Sequence, residues 1–108
     1  MTTEPNRELV RIRRRRAMML QFIRDGHEGQ MSRLDDFEIY ALMQDMGTTM
    51  SRNQVMTMLQ DLQTLGLVTF HSEWNEPNER YVAKEIMLTA AGTALVLRRK
   101  SNDDVLFD

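Results

Sequence analysis

The 108 residues predict a single α+β domain: three helices, a two-stranded hairpin and a closing helix. Three observations lead there. Apolar residues recur at helical spacing over three segments, with glycine at or just past each end. Ser51 and Gln54 carry the spacing of a capping box. Two β-branched and aromatic segments then flank a polar stretch containing Pro77, which is hairpin chemistry. The length is close to the commonest size of one domain. Residues 1–100 are expected to form that domain, with a basic N-terminal helix extension, and 101–108 an acidic, flexible tail.

Pro5 suits the first turn of a helix that is expected to run to about Asp25, where Gly26 can adopt the left-handed stop. Ile12, Met19, Leu20 and Ile23 share a stripe, so the second half of this helix faces a core. Arginines surround the first half, which is expected to project beyond the core. Arg16 falls within the stripe and is expected to snorkel. A loop from His27 to Ser32 leads to a second helix over Leu34 to Met46, with Ile39, Leu42, Met43 and Met46 inward and Gly47 ending it. The third helix, Arg52 to Leu65, has the best-specified start: Ser51 and Gln54 cap it, and Met50 and Val55 stand at the two positions of a hydrophobic staple. Val55, Met58, Leu59 and Leu62 point inward, and Gly66 stops it.

Leu67 to His71 reads as a strand, Glu73 to Glu79 as the turn and Tyr81 to Leu88 as the returning strand. Thr89 then caps a last helix over Ala90 to about Arg99. Val55, Leu59, Leu62, Leu67, Phe70 and Leu88 are expected to share one core. Aromatics make up only 6% of the chain, so aliphatics and ten methionines must fill that core.

A capped third helix feeding directly into a hairpin is the wiring of the winged helix-turn-helix, with the hairpin as the wing. The runs Ser51-Arg52-Asn53-Gln54-Val55, Leu65-Gly66-Leu67-Val68 and Leu88-Thr89-Ala90-Ala91-Gly92, with Leu59 and Leu62 between, resemble the core pattern of bacterial and phage winged-helix proteins. More narrowly, the chain resembles a family of small, functionally undefined winged-helix proteins of Mu-like phages, although its acidic ending departs from that family's basic tail. The resemblance implies a phage-encoded DNA-binding protein in the bacterial host cytoplasm, acting as a small transcriptional regulator or a DNA-packaging accessory.

Composition narrows the chemistry. Cysteine is absent, which removes disulfides and thiolate chemistry. His27 and His71 share no metal-ligand spacing, and Asp35-Asp36 sits where acids favour a helix N-terminus for structural reasons. No phosphate loop or nucleophile elbow occurs, so no enzyme activity, cofactor, metal or catalytic residue is expected. Nor is a signal segment or a membrane-spanning run of about 18 apolar residues seen. The expected compartment is the cytoplasm.

The net charge of −2 conceals a polar distribution. Arg7, Arg11, Arg13, Arg14, Arg15 and Arg16 crowd the N-terminus, and Arg98, Arg99 and Lys100 lie near the other end. The stretch from Asp25 to Gly47 is acidic. In a winged-helix reading, Arg52, Asn53, Gln54 and Thr57 are the candidate base contacts, being the right chemical types on the exposed start of the third helix. Candidate phosphate contacts are Arg11, Arg13, Arg14, Arg15, Arg80 and Lys84. Glu73, Glu76 and Glu79 make the wing acidic, which favours the alternative of a protein–protein adaptor, with a phage or host protein as partner. A homodimer is also expected, with the first helix of one copy along the acidic flank of the other.

Overall fold

In a computed structural model, the protein is described over residues 4–28 and 34–107; the side chains described are those of 7–26 and 34–107. The order is α1 (Glu4–Glu28), α2 (Asp36–Asp45), α3 (Arg52–Thr64), β1 (Val68–Asn75), β2 (Arg80–Leu88) and α4 (Ala90–Val96), which makes an α+β architecture. The two strands pair antiparallel. Most of the loop expected between His27 and Ser32 lies outside the described residues.

The strongest local signal produces the expected structure. Ser51 accepts the Gln54 amide N–H at 3.1 Å and Gln54 Oε1 accepts the Ser51 N–H at 2.8 Å, closing the capping box reciprocally. Met50 and Val55 are both buried beside it. Val55, Leu59 and Leu62 are fully buried from α3, and Leu67 and Val68 continue the same core. Phe70 and Leu88 pack against it while partly exposed. Ala17, Met19, Leu20 and Ile23 complete it from α1, with Ile39 and Met43 from α2. Leu59→Ala is expected to cost about 2–5 kcal/mol through the cavity it leaves. A urea melt with a loss under about 1 kcal/mol would show that the site collapses around the smaller side chain.

Several boundaries differ from the sequence reading, each for a packing reason. Gly26 does not end α1; the helix continues to Glu28, and Gly26 packs against Leu34. Gly47 and Gly66, by contrast, take the left-handed conformation at φ +79° and +77°. α2 starts at Asp36 because the Asp35 carboxylate caps it, accepting the Glu38 N–H at 2.9 Å. Met46 follows the last residue of α2 and is 62% exposed rather than inward. α4 stops at Val96, three residues short of Arg99. Arg98 adopts φ +60°, and the Arg99 and Arg98 amides donate to Ala94 and Leu95, a Schellman-type closure without glycine.

The hairpin is longer than expected. β1 reaches Asn75 and β2 begins at Arg80, so the turn is confined to residues 76–79. Near its base the register shifts, leaving Phe70 opposite both Glu85 and Ile86, with Glu85 at φ +54°. Beside this bulge the Ile86 N–H donates to the Leu34 carbonyl at 3.0 Å, tying the sheet to the segment before α2.

The C-terminal residues pack instead of fraying. Val105 is buried, the Leu106 N–H donates to the Arg13 carbonyl at 3.1 Å, and Phe107 lies under the Arg98 guanidinium at 4.0 Å. Apolar burial of Val105 and a local Asn102–Val105 bridge hold this strap across α1.

Candidate nucleic-acid interface

The exposed side of α3 is made by the residues that the core stripe leaves over: Asn53, Gln54, Thr57, Gln60 and Asp61. The N-terminal half of α1 runs beside this side. Arg15, Ile12 and Glu8 from α1 and Asn53, Gln54 and Thr57 from α3 line a shared open cleft of about 400 Å³. Three expected base-contact residues therefore open onto one surface together with an expected phosphate contact. The Gln54 carbonyl already accepts the Ser51 N–H, so its free valence is the amide NH2 group.

Arg52 stands apart. It is half-buried, its guanidinium lies 5.1 Å from the Phe37 ring centroid, and its Nε is enclosed without a hydrogen bond. Its planar cation covers an otherwise exposed ring, a packing role for the apolar side of the guanidinium.

The remaining arginines have different fates. Arg16 bridges the cleft floor and the C-terminal strap: Nη1 donates to the Asp104 carbonyl at 3.1 Å and Nη2 lies 3.8 Å from Asp61. Arg16 therefore does not snorkel to water as expected: its side chain is only 16% exposed and its head is held by Asp104 and Asp61. Arg13 is half-buried, with its Nε enclosed. Arg14 and Phe107 line a shallow site on the other side of α1. Arg11 is exposed and pairs with Glu8 one turn away at 3.6 Å.

Arg80 is not placed for phosphate. It is drawn into the domain by Asp36, the first residue of α2, whose side chain is only 4% exposed. A buried carboxylate requires a counter-charge, and Arg80 at the start of β2 supplies it. That pairing also removes one charge from the acidic flank. Lys84 points outward but is held by Glu73 at 2.9 Å. The Lys84 hydrogen bond and charge pull the Glu73 carboxyl below the ordinary carboxylate value, and Glu73 raises Lys84 in return. On α2, burial first and the Asp35 charge second push Glu38 above its ordinary value.

Sequence reasoning missed one exposed feature of the hairpin. Trp74 and Tyr81 pair directly across the strands, 52% and 59% exposed, in an edge-to-face arrangement with ring centroids 5.2 Å apart. The turn expected from Glu73 onward hid this pairing, because it treated Trp74 as loop. Among the described residues, no group of three or more His, Cys, Asp or Glu could hold a metal ion, and no helix is long and apolar enough to cross a membrane. Neither a protein-family model nor a curated protein matches this chain.

Proposed function

We propose that this protein is a winged helix-turn-helix module that binds double-stranded DNA, with the N-terminal half of α3 in the major groove. The observation that carries this reading is the α1–α3 cleft, where Asn53, Gln54 and Thr57 open beside Arg15. Asn53 can pair with an adenine edge, the free Gln54 amide NH2 can donate to a base acceptor, and Thr57 can meet a thymine methyl. Arg15, on the wall facing them, would meet the flanking phosphates. Asp61 opposes this role only weakly, since Arg16 stands beside it.

A gel shift on random-sequence duplex at low and moderate salt tests the reading. Binding is expected to weaken steeply as salt rises, because each neutralised phosphate releases counterions. Arg15→Gln should flatten the salt slope by about 1 and weaken binding to every sequence. Asn53→Ala should instead cost about 1–3 kcal/mol against the preferred site alone. Absence of any shift at low salt overturns the reading. It would favour the second one, a protein-binding adaptor, which the acidic and aromatic hairpin supports.

A further inference from the structure

The hairpin carries features that a DNA backbone would not select. Trp74 and Tyr81 leave more than half of each side chain in solvent, although aromatic rings contribute most when buried. Glu76 and Glu79 lie in the adjoining turn, and no ion pair among the described residues reaches either. Glu76 accepts the Trp74 indole N–H, which places a carboxylate at the edge of the ring pair. Lys84 is already engaged by Glu73 and Arg80 by Asp36. The tip of the hairpin is therefore an aromatic surface with uncompensated negative charge.

The complementary surface is on the same chain. Arg7 and Arg11 are four residues apart, so they align on one face of the exposed start of α1. Leu9 and Val10 are also exposed there. In the single chain neither feature covers the other: Arg7, Arg11, Trp74 and Tyr81 all remain in solvent. Arg15 continues this row one turn further along and opens onto the cleft, so the Arg7–Arg11 pair is the part of the row that lies beyond the cleft.

We infer that the acidic aromatic hairpin of one chain receives the Arg7–Arg11 face of α1 from a second copy, and the reverse, in a closed two-fold dimer. A guanidinium over the open ring face of Trp74 or Tyr81 supplies a cation–π contact, and Glu76 and Glu79 pair with the neighbouring cation. Reciprocal exchange buries both exposed features at once and leaves no unpaired surface to propagate a fibre. This pairing replaces the acidic-flank contact expected from sequence. In that flank Asp36 is buried with Arg80, Asp35 caps α2 and Asp25 accepts the Gln21 amide. The inference does not depend on DNA binding.

Sedimentation velocity of the full chain over a range of protein concentrations, at low and high salt, tests it. A dimer at low salt that dissociates at high salt is expected. Trp74 is the only tryptophan, so its emission should change over the same concentration range. Trp74→Ala with Tyr81→Ala should weaken dimerisation roughly tenfold or more. All six positions substituted in these tests are exposed in the hairpin or arm, so the fold should persist, as checked by circular dichroism. Arg7→Glu with Arg11→Glu should also leave a monomer, and adding Glu76→Lys with Glu79→Lys to that chain should bring back the charge-paired part of the association, weaker than in the unsubstituted chain because the cation–π contact is absent. A monomer at every concentration at low salt, or a dimer unchanged by the aromatic substitutions, overturns the proposal. So does failure of the charge exchange to restore association.

Discussion

Gly92→Ala is expected to destabilise the domain by about 3 kcal/mol, although alanine is intrinsically the better helix former by about 1 kcal/mol. Gly92 is the third residue of α4, and a Cβ there would stand 2.1 Å from the Leu67 carbonyl oxygen and 3.1 Å from its carbon. That carbonyl cannot turn aside freely, because it accepts the Thr89 N–H at 3.0 Å. Thr89 also donates its hydroxyl to the Gly66 carbonyl at 2.7 Å and accepts the Gly92 N–H at 3.1 Å. One residue thus caps α4 and locks the α3–β1 turn against it. The clash can be relieved only by moving α4 off the start of β1, which loosens Leu95 and Val96 in the core. A urea melt of Gly92→Ala beside Ala91→Gly measures this. The control, at an exposed position, should cost at most about 1 kcal/mol. Equal losses in the two variants would show that α4 shifts freely.

Arg80→Met is expected to cost about 3–5 kcal/mol, because it leaves the Asp36 carboxylate buried without its counter-charge. The pair joins residues 44 apart in sequence, the start of α2 and the start of β2. Its net worth is smaller than the cost of breaking it. Arg80 Nε and Nη1 are enclosed without hydrogen bonds, so part of the cation's lost hydration is not replaced. The double variant Asp36→Leu/Arg80→Met should therefore recover most of the stability that Arg80→Met loses. Chemical denaturation of the two single variants and the double variant gives the coupling directly. If the double variant is as unstable as the sum of the singles, the pair does not act as a unit.

The cleft was partly legible in the sequence. Asn53, Gln54 and Thr57 follow from the helical period once the buried stripe of α3 is known. Their approach to Arg15 does not, because it depends on how α1 crosses α3. Arg52 and Arg80 have suitable chemistry for DNA, but the structure turns one onto Phe37 and the other onto Asp36. Local composition contains no signal for either partner.

Short-range features were determined by the sequence itself. The Ser51–Gln54 box, the Gly47 and Gly66 stops, the Thr89 cap and the inward face of α3 each involve residues within about one helical turn. Such interactions form wherever the chain bends locally, so residue type and spacing suffice to read them. The tertiary structure alone decided that Gly26 continues a helix instead of ending one, that β1 extends through Trp74, and that the C-terminal strap closes over α1. It also decided that Arg16 meets Asp104 across 88 residues. These outcomes depend on which surfaces lose water together, and that depends on neighbours brought from distant parts of the chain.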